Sequence, residues 1–194
     1  MTAIQEYLFL FTASAAPLYR RNVIPIRHKV KIFKVTAIPT LLYGAEIWAP
    51  SKDELQRLET WQNECMRYML GVRYSTHGHV PSSELRRKCK LRKIEDHLRV
   101  RRLRWFGHAA CMNEERLPKK MLTGQLGRTR QVGRARLSWR KVIRSDLDAI
   151  ECEDYPAMVS DRTSWRKKIK GPYTAQAEVA PIRRSLRLAV MSLR

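Results

Sequence analysis

Ten basic side chains fall between positions 86 and 104: Arg86, Arg87, Lys88, Lys90, Arg92, Lys93, Arg99, Arg101, Arg102 and Arg104, against only Glu95 and Asp96. Five of them, Arg86, Lys90, Arg101, Arg102 and Arg104, have no carboxylate three or four residues away, where a helix would place a neutralising partner. Unneutralised guanidinium and ammonium groups are what phosphate recognition requires. The plain alternative is a solvated helix face, which is what charge runs usually are. A second concentration, Arg128, Arg130, Arg134 and Arg136, is spaced by Gly127 and Gly133. A glycine-spaced arm of this kind can follow a phosphate backbone or lie in a groove, and its alternative is a solvated linker.

Other chemistry lacks the residues it needs. The sequence holds no Asp-Asp pair for two-metal phosphoryl transfer and no zinc-protease, P-loop or nucleophile-elbow motif. Asp146 and Asp148 belong on opposite sides of one helix, and Glu151, Glu153 and Asp154 read as an acidic turn. No catalytic residue is expected. Cys89, His97, His108 and Cys111 are the one conceivable zinc set, but zinc modules do not space ligands as Cys89 and His97 are spaced, so neither metal nor cofactor is expected. Trp48, Trp61, Trp139 and Trp165 recur among aliphatics at helical spacing and read as core. Trp105-Phe106, beside the arginines, is the pair whose alternative to core packing is a ring stacked on a base.

The whole chain carries the same bias. Its 194 residues hold 39 Lys and Arg against 18 Asp and Glu, a formal charge of +21, with 44% hydrophobic residues to build a core. The partner this implies is RNA or DNA, bound without strong sequence preference, rather than a membrane or a small-molecule substrate, since the cations are spread over several segments instead of one amphipathic helix. Cys65, Cys89, Cys111 and Cys152 lie far apart and read as reduced thiols. The apolar run Tyr7 to Phe11 is too short to span a bilayer and follows Glu6 instead of a basic stretch, so a nuclear or cytoplasmic protein is expected, not a secreted one.

The elements that must position these residues are all helical. Val30, Phe33, Ala37, Leu41, Ala45 and Trp48 recur every three or four positions, predicting two helical stretches broken around Ile38-Pro39. Ser51 and Glu54 form a capping box, and Leu55, Leu58, Trp61, Cys65 and Met69 continue that helix to a cap at Gly71. The short turn 49–51 should set these helices antiparallel, with Trp48 and Trp61 in one core. A short basic helix capped by Ser82 or Ser83 runs to Cys89, and a longer one covers 94–112 with Leu98, Val100, Leu103, Phe106 and Ala110 inward. Residues 113–137 show almost no periodicity and read as a linker or extended arm. Helical signal returns at Trp139 to Ile150 and Met158 to Ile169, a small hairpin. The expected organisation is an all-α fold: an unmatched segment 1–18, a basic helical bundle 19–112, the arm 113–137, the hairpin 138–170 and an unmatched basic tail 171–194.

Six blocks appear in a telling order: residues 39–48 (PTLLYGAEIW), the Leu58 to Gly71 stretch with Cys65-Met66-Arg67, residues 102–108 (RLRWFGH), residues 116–120 (RLPKK), Gly133-Arg134-Ala135-Arg136 with Trp139 and Asp146-Leu147, and Asp161-Arg162 with Trp165-Arg166. Together they resemble the region downstream of the polymerase core in non-LTR, LINE-type retrotransposon reverse transcriptases, over about Tyr19 to Lys170. The resemblance implies the thumb and the segment beyond it, a nucleic-acid-binding piece of an RNA-directed DNA polymerase that grips template and primer, with an upstream polymerase domain in the parent protein and without that domain's aspartates. Ala135 departs from the family's usual proline. Two further classes fit the composition: a host DNA-binding regulator with a helix-turn-helix whose recognition helix is 94–112, and a structural RNA-binding protein.

Overall fold

In a computed structural model of the chain, the described residues are Pro17, Tyr19, 23–123, 138–152 and 154–174. Among them the regular structure is helical throughout, without a strand, as expected of an all-α fold. They divide into two units, one built from the described residues up to Tyr43 together with Gln56–Ile94, the other from Gly44–Leu55 and Glu95–Tyr173.

The first unit begins with α1 (Ile26–Val35) and α2 (Ala37–Leu41). The break between them falls at Thr36, earlier than the Ile38-Pro39 position predicted. A proline ring clashes with the carbonyl four residues before it and offers no N–H to it. For Pro39 that carbonyl is Val35, where α1 ends. Helical structure then stops at Leu41 and resumes only as a 3-10 turn, Ala45–Ile47, behind Gly44 at φ +67°, instead of running to Trp48.

α3 (Lys52–Leu70) carries the expected capping box: Glu54 Oε2 accepts from the Ser51 N–H at 2.8 Å, and the Glu54 N–H donates back to Ser51 Oγ at 3.3 Å. Its end is a Schellman motif. Gly71 stands at φ +66°, its N–H donating to Tyr68, while the Val72 N–H reaches the Arg67 carbonyl at 3.0 Å. Leu58, Trp61, Cys65, Met66 and Met69 line the buried side, with Phe33 5.6 Å from Trp61 and 6.4 Å from Tyr19 between ring centres. Trp61 thus enters the core of the first unit. Trp48, in the Gly44–Leu55 segment of the second, is half-buried.

After the single turn α4 (Tyr74–His77), α5 (Ser82–Cys89) starts directly behind Pro81, with no side-chain cap from either serine. It ends in the same Schellman geometry as α3, but with Lys90 at φ +47° in the position that usually holds glycine. Left-handed backbone costs a side-chain-bearing residue roughly 1–2 kcal/mol, part of which a glycine returns as extra unfolded-state entropy. Lys90→Gly is therefore expected to raise stability by about 0.5–1 kcal/mol, read as a higher urea midpoint at unchanged slope.

The second unit is organised by α6 (Ile94–Ala110), close to the expected 94–112. Leu98, Leu103, Phe106 and Ala109 are buried, and Val100 and Ala110 half-buried. The linker expected over 113–137 contains a helix at its start, α7 (Leu117–Thr123), whose Lys119 Nζ donates to the Ala110 carbonyl at 2.6 Å and so satisfies the end of α6. α8 (Trp139–Asp148) follows. The last predicted helix is two, α9 (Tyr155–Ser160) and α10 (Arg162–Thr174), and the second runs through Gly171-Pro172. Leu103, Phe106, Ile143, Leu147, Ile150, Cys152, Val159, Trp165 and Ile169 form one core.

The break between α9 and α10 is Asp161, whose Oδ1 accepts from the N–H groups of Thr163 (2.9 Å) and Ser164 (3.3 Å). Hydrogen bonds from the Ser164 side chain and from these two backbone groups hold the carboxyl below the ordinary aspartate value. A depressed carboxyl contributes stability that is fully present above the unfolded-state pKa, about 3.9, and is lost as pH falls through the folded one. Melting temperature followed downward from pH 5 should therefore fall more steeply below pH ~4 in the parent chain than in Asp161→Ala.

Candidate nucleic-acid interface

The cations expected on one surface have different environments. In the first unit, Arg86, Arg87, Lys88 and Arg92 are half-buried along and after α5, and Lys90 and Lys93 are exposed. The segment that carries the last three is pinned from below: Gln62, fully buried on α3, donates Nε2 to the Arg92 carbonyl at 2.7 Å. Arg86 Nη1 donates to Asn63 Oδ1 at 3.4 Å, and Lys88 and Arg87 lie 3.5 and 4.0 Å from Glu84.

α1 packs against α5 and adds cations the sequence reading passed over. Arg27, Lys31 and Lys34 fall at i, i+4 and i+7, all exposed, on the face alongside the buried Val30 and Phe33. Their signal in the sequence is the lack of any carboxylate in α1, masked by the apolar periodicity of the same helix. Lys29 is the exception among its basic neighbours. Its ammonium is buried, donating to the carbonyls of Tyr19 at 2.6 Å and Met69 at 3.5 Å, and desolvation lowers its pKa. Met69 lies in the last turn of α3, where a cation is favoured by the helix dipole. Lys29 is thus part of the fold, leaving Arg27, Lys31, Lys34, Arg86, Arg87, Lys88, Lys90, Arg92 and Lys93 against the single carboxylate Glu84 in α1, α5 and the turn after it.

In the second unit the expectation of unneutralised arginines gives way to specific pairing. Arg102 is 3% exposed and grips Asp146, itself 3% exposed, with Nε to Oδ2 at 2.7 Å and Nη2 to Oδ1 at 3.1 Å. Arg99 donates Nε to the same carboxylate at 3.0 Å and Nη2 to Glu95 at 3.1 Å. Arg101 reaches Glu46 at 3.3 Å. Arg104 is exposed. Asp146 and Asp148 do face opposite ways, one buried and one exposed, but the buried one is an anchor for arginines. Arg128, Arg130, Arg134 and Arg136 lie outside the described residues.

Trp105 and Phe106 are both packed. Trp105 meets Trp139 edge to face at 5.5 Å, and Phe106 lies 5.3 Å from Tyr155 and 6.5 Å from Trp165. Burial pushes the thiols of Cys65 and Cys89 up to about 12, the Glu64 charge adding to the first and Lys34 and Lys88 opposing the second. Neither supplies a thiolate at neutral pH. All four cysteines are unbridged. Among the described residues no three His, Cys, Asp or Glu side chains gather as metal ligands, and no helix is long and apolar enough to cross a membrane.

No protein-family model matches the chain, and no solved structure does. Among curated proteins it is similar to a transposon-derived protein of Caenorhabditis elegans, at 21% identity over 150 residues that cover 73% of this chain and 54% of that protein. The chain therefore spans about half the length of the curated relative it matches, and its distant relationship is to a protein that came from a transposable element.

Proposed function

We propose that the chain binds RNA and DNA without sequence preference through the first unit's cations on α1, α5 and the turn after it, and that it corresponds to the thumb and downstream region of a non-LTR retrotransposon reverse transcriptase. The observation that carries this is nine lysines and arginines against one carboxylate on two packed helices and their adjoining turn. The arginines of α6 support the reading less, since Asp146, Glu95 and Glu46 engage three of the four. Phosphate contacts fix position and carry no sequence information, so such a surface grips a template and primer of any sequence. In the parent enzyme the polymerase aspartates belong upstream, and the chain alone is expected to give no primer extension.

The test is a variant with Lys31, Lys34, Arg86 and Lys93 changed to Gln, with helicity and melting temperature checked beside binding. Affinity should fall for all sequences alike, and the salt dependence should become shallower by roughly one unit per lost phosphate contact. Parent affinity and slope in an intact fold would remove the first unit from the interface. The comparison variant replaces Arg128, Arg130, Arg134 and Arg136 and measures the arm's share.

A further inference from the structure

The second unit contains a cleft of about 360 Å³ that the surface above does not use, with Phe106, Trp139 and Tyr155 among its walls and Ile143 and Leu147 of α8 beneath. Its polar side is a single stripe of α8: Arg140, Arg144 and Asp148, each four residues from the last, all exposed. Resting on the nucleic-acid reading, we infer that this cleft receives one unpaired base of a single-stranded RNA or DNA, its ring against the aromatic wall and its phosphate on Arg144.

Three features select that occupant. The volume is at the small end of ligand clefts and suits one nucleotide rather than a duplex. The aromatic walls are held in place: Trp139 Nε1 donates to the Glu46 carbonyl at 2.9 Å and Tyr155 lies edge to face with Phe106 at 5.3 Å, so little order is lost when a base stacks. The arginines sit one helical turn apart on the rim, where the fork of a guanidinium matches phosphate oxygens, and Arg140 is oriented there by donating Nη2 to the Met121 carbonyl at 2.9 Å. Asp148 completes the stripe as an acceptor for the N–H groups on a base edge.

The experiment compares binding of the full chain to a short single strand and to the same strand with abasic residues, near 0.1 M salt. The parent should prefer the base-bearing strand roughly tenfold, the scale of one stacked base. Tyr155→Ala should remove that preference and leave affinity for the abasic strand at the parent level. Should Tyr155→Ala lose helicity, Arg144→Gln on the exposed rim serves instead, weakening the base-bearing strand about threefold and lowering its salt slope by roughly one. Equal affinity of the parent for both strands, or a preference undiminished from the parent value in the folded variants, overturns the cleft while leaving general binding intact. Absence of binding to either strand at low salt overturns both.

Discussion

Asp146→Ala is expected to destabilise the second unit by about 3–5 kcal/mol, because it leaves Arg102 charged, buried and without its carboxylate. Both side chains are only 4% exposed, so water cannot replace the lost partner at the site as it does for a surface ion pair. Arg99 loses the same acceptor and keeps Glu95. The pair need not be a net gain over apolar packing, since desolvating two ions offsets much of their attraction. Arg102→Met combined with Asp146→Leu should therefore recover most of the loss, and a double-mutant cycle in urea measures the coupling. A loss below about 0.5 kcal/mol in Asp146→Ala would mean that the arginine escapes to solvent and that the pair does not organise the unit.

Gly107→Ala should cost a further unit of similar size, about 3 kcal/mol, from overpacking and the loss of one hydrogen bond. A methyl group at position 107 would lie within 2.9 Å of the Trp165 ring atoms Cδ1 and Cε2, and closer still to Nε1. That indole is 4% exposed and donates Nε1 to the Leu103 carbonyl at 3.3 Å, so it cannot withdraw without breaking the contact. Glycine is required here by close approach, the indole of α10 lying directly on the backbone of α6. Gly171→Ala is the control: nothing lies within 4 Å of its added methyl, and its melting temperature should change little. A Gly107→Ala variant as stable as the parent would contradict the packing of Trp165 on α6.

These two sites explain physically what several of the six blocks do in this fold. Trp165 of the last block rests on Gly107 of the third, and Asp146 of the fifth holds Arg102 of the third. Trp139 donates to Glu46 of the first, while Lys119 of the fourth closes α6. The blocks are largely the architecture of the second unit, and nothing in their sequences announced that they meet. Arg102 read as a surface cation because its acid lies 44 positions away, whereas sequence patterns report partners three or four residues apart. Placing an arginine on the inward face also blurs the amphipathic pattern of α6, as does a glycine chosen for closeness.

Where local chemistry decides, the sequence was sufficient. The Ser51 and Glu54 cap, the Gly71 terminus and the extent of α6 follow from neighbours within a turn or two. The clash that ends α1 at Val35 was equally local, and counting four back from Pro39 would have placed it correctly. α7 escaped because its seven residues expose Leu117 and Met121 and bury none of their own, leaving no apolar stripe to detect. The candidate interface is legible in part. Charge in α5 and the turn after it was plain, the contribution of α1 was not, and the sorting of surface from buried arginines depended on tertiary contacts.

The most direct measurement of the central claim is the salt dependence of binding by the unaltered chain to RNA and DNA of two unrelated sequences each. Contacts from several of the nine cations should give a steep linear fall of log affinity with log salt, by about 0.7–0.9 units per phosphate contacted, and sequences of one polymer should share one line. Affinity independent of salt, binding confined to one sequence, or no binding at low salt would contradict it.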